Sequence, residues 1–239
     1  MPVMQAGISD SGDNPEPSVP GVGCCGKLPS HGDFLRRRLP ESFVRPWEDW
    51  LDAGMAASRT GLGADWLDSY MSAPIWRFAG SADCCGDRPF AGVLMASVDK
   101  FGRCHPLTIV SLLDRDAAAS AVALTGNSWF RDMETLALST LADGFEFADF
   151  EVRLAAAAAP ADTGIARFGS GFRGAEATLP LDRALAFAIA GTASANRACY
   201  TLWWTVDDKE SPEFCCSFAG MPPADEFAFL LVGSGARPK

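Results

Sequence analysis

The stretch FAGVLMASVDKFGRCHPLTIVSLL, Phe90 to Leu113, holds two runs rich in apolar and β-branched residues. Phe90 to Val98 and Pro106 to Leu113 flank Asp99-Lys100-Phe101-Gly102-Arg103, a short polar connection with one glycine. That pattern predicts an antiparallel hairpin. A second pair of runs, Tyr200 to Val206 and Phe214 to Ala219, flanks Asp207 to Ser211 in the same way. Two single strands are expected at Val22 to Cys25 and at Ile75 to Ala79, the latter carrying Trp76 and Phe78. Hairpins interspersed with helical stretches predict an α/β fold: a mixed β-sheet flanked by helices on both faces, in one domain.

The helices come from apolar spacing. After Leu39-Pro40, the residues Phe43, Trp47, Trp50, Leu51 and Gly54 recur on one helical face. Trp66, Leu67 and Tyr70 mark a short helix that ends before Pro74. Asp114 to about Pro160 reads as helical, broken at Thr125-Gly126-Asn127, with Asn127 or Ser128 as cap of the next helix. Pro180 to Ala190 and Asp225 to Val232 are further helices, and the Gly-rich Ala161 to Thr178 reads as a long loop. Residues 1–20, rich in Pro, Ser, Gly and Asp, are expected to be a disordered leader without a targeting signal, residues 21–233 the domain, and residues 234–239 a flexible tail.

Composition narrows the function. The chain has 239 residues, 48% hydrophobic and 21% charged, with 20 Lys plus Arg against 30 Asp plus Glu. These values exclude a coiled coil, a disulfide knot and a disordered chain. No apolar run approaches the roughly 20 residues that cross a bilayer. A net charge of −10 argues against nucleic acid and against anionic membrane surfaces. Six of the eight cysteines are adjacent pairs, Cys24-Cys25, Cys84-Cys85 and Cys215-Cys216. Neighbours on a strand face opposite ways, so such pairs are poor staples and read as reduced cytosolic thiols.

The candidate chemistry is concentrated between Gly21 and Arg38. Gly21, Gly26 and Lys27 have the spacing of a phosphate loop, but Leu28 stands where a magnesium-binding hydroxyl is needed and Pro29 follows. A strand running into a turn explains the segment better. Ser30, His31 and Asp33 are the residue types of a hydrolase triad, but crowded into one tight loop they do not align as a triad must. With two histidines and no C-x-x-C spacing, no metal site and no cofactor are expected. Arg36-Arg37-Arg38 is the dense basic run of an acidic chain, and is either an anchor for an acidic partner or a solvated run paired with Glu41, Glu48 or Asp49. Trp203-Trp204 must point to opposite sides of its strand, so either each meets a helix layer or one is exposed.

Five segments carry a resemblance: GKLPSHGDFLRRRLPESFVRPWEDWLDAG, SAPIWRF, FAGVLMASVDKFGRCHPLT, YTLWWTVDD and AGMPPADEFAFLLVG. In this order and spacing the chain resembles the TagF (ImpM) family of type VI secretion-associated proteins, from about Gly21 to Gly233. The resemblance implies a three-layer α/β/α sandwich and a cytoplasmic regulator without catalytic residues. It also implies repression after translation, by binding the forkhead-associated (Fha) scaffold of the secretion system. Cys24, Cys25 and Cys104 depart from the aromatics that relatives often carry there.

Two functions are therefore expected to compete. The first is a regulatory binding protein, whose contact region is Lys27, Ser30, His31 and Asp33 with Arg36, Arg37 and Arg38. The alternative is a ligand-binding or enzymatic α/β domain that uses the Lys27–Arg38 loop for a phosphate or carboxylate.

Overall fold

The computed structural model describes residues 21–160, 166–168, 171–173, 199–206 and 212–233. The expected leader, the helix at Pro180 to Ala190, the turn at Asp207 to Ser211 and the tail lie outside the described residues.

Seven strands make one sheet. They are β1 (Val22–Gly26), β2 (Leu35–Arg37), β3 (Trp76–Gly80), β4 (Phe90–Met95), β5 (Leu107–Leu112), β8 (Thr201–Val206) and β9 (Pro212–Phe218). Their order is β2-β1-β5-β4-β3-β8-β9. Both expected hairpins are present in it, β4 with β5 and β8 with β9. Inside the stretch read as a loop, β6 (Ala166–Phe168) and β7 (Gly171–Arg173) form a small separate hairpin.

The sheet is antiparallel throughout, which corrects the expectation of a mixed one. A parallel pair needs a crossover that returns beside its starting strand. Here the helical connections land elsewhere. The segment from β2 to β3 skips three positions of the sheet, and the segment from β5 to β8 skips two.

The helices are α1 (Glu41–Leu62), α2 (Trp66–Met71), α3 (Ala119–Thr125), α4 (Asn127–Leu138), α5 (Phe147–Ala156) and α6 (Phe227–Val232). Alternate strand side chains enter two apolar cores. One joins Phe78, Phe90, Val110 and Trp203 to Trp47, Trp50 and Leu51 of α1 and to Phe227 and Leu230 of α6. The other joins Ala79, Val93, Ile109 and Trp204 to Val122, Phe130, Met133 and Phe150 of α3, α4 and α5. Trp203 and Trp204 are both fully buried, one in each core. Cys24 and Cys25 divide in the same way.

Tryptophans of the aromatic core pair their indole N–H groups. Buried indole N–H groups donate from Trp47 to Thr108 at 2.9 Å, from Trp50 to the Pro222 carbonyl at 2.7 Å and from Trp76 to the Leu230 carbonyl at 2.7 Å. Gly54 permits the close crossing of α1 and α6, because a Cβ there would lie 2.4 Å from the Phe227 ring. A buried charge pins α4 to the sheet. Arg77 of β3, 1% exposed, donates to both carboxylate oxygens of Glu134 at 2.7 and 2.6 Å and to Asn127 Oδ1 at 2.6 Å. The N-cap of α4 is Gly126, one residue before the expected Asn127, whose side-chain oxygen accepts from Arg77.

Candidate functional site

The loop after β1 and the β4–β5 turn meet at one end of the sheet. Gly26 makes the exit from β1 with φ of 125°, and a Cβ there would strike the Pro106 carbonyl at 2.1 Å. Lys27 then turns its ammonium to Asp99, 3.1 Å away. Leu28 is fully buried, and no helix follows until Glu41. The segment is a sheet strand entering a turn, and its Lys is committed to a carboxylate.

Asp99 organises the junction. Its side chain has no exposure, and it accepts from Phe101 N at 2.9 Å, Arg103 N at 2.9 Å and Arg103 Nε at 2.6 Å as well as from Lys27. Burial alone would raise this carboxyl. The two backbone N–H groups, Lys27 and Arg103 outweigh burial and hold it well below the usual carboxylate range. The turn reaches back to the loop, with Lys100 N donating to the His31 carbonyl at 2.9 Å and Arg103 donating to the Gly32 carbonyl. β4 ends at Met95, short of the expected Val98. There Ser97 leaves the ladder, its N–H donating to Tyr70 Oη at 3.0 Å and its hydroxyl to the Lys27 carbonyl at 2.8 Å.

Ser30 and His31 touch, with Ser30 Oγ 2.9 Å from His31 Nδ1. The His31 ring packs on Phe147 with centroids 4.3 Å apart. Asp33 is exposed and makes no hydrogen bond to His31 among the described residues, so the three are not arranged as a triad. The other histidine, His105, lies 3.7 Å from Asp52 and packs edge-on against Phe34. Burial pushes its imidazole below the ordinary value, and the Pro106 carbonyl and Asp52 only partly oppose this.

Two of the three arginines are part of the sheet. Leu35–Arg37 is the edge strand β2, which local periodicity does not predict. Arg36 pairs with Glu41 and donates to the Leu39 carbonyl at 3.1 Å. Arg37 pairs with Glu151 of α5 and lies 5.3 Å from the Phe147 ring centroid. Arg38, with φ of 60°, donates to the Val22 carbonyl at 3.1 Å. Lys27, Arg36 and Arg37 thus face carboxylates of the protein. A cavity of about 440 Å³ lies elsewhere, lined by Ser42, Phe43, Cys85, Arg88 and Arg115 and by none of the residues from Lys27 to Arg38.

Asp99, Lys100, Phe101 and Arg103 complete the site and were legible only as a hairpin turn. The Asp at the head of a Gly-containing turn was the available signal. That it points inward to a lysine 72 residues earlier was not.

Residues 23–157 match the TagF N-terminal domain, described as type VI secretion system-associated. The chain belongs to the TagF family. The matched span covers all of β1 but Val22 and continues through α5, including the Lys27–Arg38 segment and the Asp99–Arg103 turn. The crystal structure of PA0076 from Pseudomonas aeruginosa PAO1, at 2.05 Å resolution, is similar at 34% identity with a TM-score of 0.74. The similarity covers 91% of this TagF chain and 96% of that one. No curated protein sequence matches it. The protein is type VI secretion-associated, and no helix among the described residues is long and apolar enough to cross a membrane.

Proposed function

We propose that this chain is a cytoplasmic, non-catalytic accessory protein that holds type VI secretion off after translation, by binding and sequestering the forkhead-associated scaffold. The observation that carries the reading is the TagF domain match over residues 23–157, extended by likeness to PA0076 along 91% of the chain. The junction geometry supports it. Lys27 is paired with Asp99, and Ser30, His31 and Asp33 do not align as a triad, which supports a non-catalytic reading. The contact region in this reading is the Lys27–Asp33 loop with Arg36 to Arg38. Loops on a rigid scaffold are where recognition usually sits. The fold in this reading is the family's three-layer α/β/α sandwich, which the two apolar cores support.

The test is overexpression and deletion in the host, with secretion and scaffold capture measured together. Overexpression is expected to stop secretion and to bring the scaffold down with the tagged chain. Secretion unaffected by either manipulation would overturn the reading.

A further inference from the structure

The β4–β5 turn is fixed from beneath and bare on top. Asp99 takes four donors under it, and the turn is tied to the Lys27–Phe34 loop through His31 and Gly32. Gly32 passes close below the tip, since a Cβ there would lie 2.6 Å from Lys100 Cε and 2.9 Å from Phe101 Cε2. Phe101 is nonetheless 68% exposed. Its ring centroid lies 5.0 Å from the Lys100 ammonium and 5.4 Å from the Arg103 guanidinium. Phe34, 38% exposed, adds apolar area on the same loop.

We propose that this tip is a docking surface for an acidic segment of a protein partner, with Phe101 as the apolar anchor and Lys100 and Arg103 as the charge contacts. The proposal rests on the scaffold-binding reading and names its surface and the chemistry recognised. The charge balance selects the occupant. The loop and turn hold three cations, Lys27, Lys100 and Arg103, against two carboxylates, Asp33 and Asp99, in a chain of net charge −10. Asp99 faces inward without exposure, so the outward face of the turn is positive. The negative charge elsewhere is screened beyond about 8 Å at physiological salt, so it does not cancel the positive tip for an acidic segment docked there. An aromatic already held rigid loses little entropy on docking, and aromatic and arginine side chains dominate interface hot spots.

The 239-residue chain and its variants are titrated with the forkhead-associated scaffold at low and high salt, with melting curves to check folding. Phe101→Ser and Lys100→Glu should each weaken capture about tenfold or more without lowering the melting temperature, and Lys100→Arg should stay within about twofold. High salt should weaken wild-type capture. Arg115→Ala, at the opposite end of the β4–β5 strands, should bind as wild type. Undiminished binding by Phe101→Ser would overturn the surface and leave the repressor reading standing. Loss in Phe101→Ser with wild-type binding by Lys100→Glu would overturn the acidic occupant. Failure of the wild-type chain to capture the scaffold would remove the reading and the surface together.

Discussion

The Lys27 ammonium lies 3.1 Å from Asp99, a carboxylate with no solvent exposure, so the lysine of an apparent phosphate-loop spacing is one of the four donors that let a buried aspartate stay charged. The same aspartate orders the β4–β5 turn through Phe101 N and Arg103 N. One ionised group therefore joins two loops that are far apart in sequence. A buried charge persists only where it is paired and hydrogen-bonded, and its partners become costly to remove.

Asp99→Asn should melt well below the wild type at neutral pH. The sign of its pH dependence follows from the lowered carboxyl. Its stabilisation is fully present above the unfolded value, about 3.9, and is lost as pH falls through the lower folded value. The stability gap between wild type and Asp99→Asn should be flat from neutral pH to about pH 5 and should shrink below about pH 4. Denaturant unfolding at several pH values measures this.

Arg77 is 1% exposed, and two Glu134 oxygens and Asn127 receive its guanidinium. Glu134→Ala leaves this charge buried without its carboxylate, and should cost about 3–5 kcal/mol. A double variant that replaces Arg77 and Glu134 by apolar residues of similar volume should lose much less. Urea unfolding of the two variants separates a costly orphaned charge from a pair that is stabilising in itself.

Much of the frame is legible in the sequence. The β4–β5 and β8–β9 hairpins, the Trp-bearing face of α1 and the opposed Trp203 and Trp204 all follow from local periodicity, which burial on two sides enforces. Strand β2 was not legible, because three residues with two arginines read as surface chain and its pairing with β1 is a tertiary choice. The antiparallel order was not legible either, since crossover length does not say where a strand lands. Of the candidate site, the Lys27–Asp33 loop was visible, whereas its partner turn was not, because Asp99 meets Lys27 only through the adjacent positions of β1 and β5 in the sheet.

The cysteines should differ widely in reactivity. Burial pushes the Cys24 thiol up to about 12 and raises Cys25 as well, whereas Cys215 is exposed on β9. No disulfide joins any of the eight. At about pH 8, near an ordinary thiol value, native-state alkylation should label Cys215 first and reach Cys24 and Cys25 only on unfolding. Peptide mapping by mass spectrometry reads the order, and reductant should not lower the melting temperature.

The arginine run should contribute little to stability. The Arg36–Glu41 and Arg37–Glu151 pairs are partly solvent-exposed, and such pairs are worth about 0.2–1 kcal/mol each. Changing Arg36, Arg37 and Arg38 to Ala together should lower the melting temperature by a few degrees at most, and less at high salt. In the proposed function the same variant should bind the scaffold about tenfold more weakly.

The decisive measurement is calorimetric titration of the purified 239-residue chain into the forkhead-associated scaffold of the host's secretion system. The wild type should bind saturably and the Phe101→Ser chain more weakly, with loss of repression in cells in step with loss of affinity. No heat and no complex with the wild type, while secretion in the host remains repressed by the same chain, would contradict it.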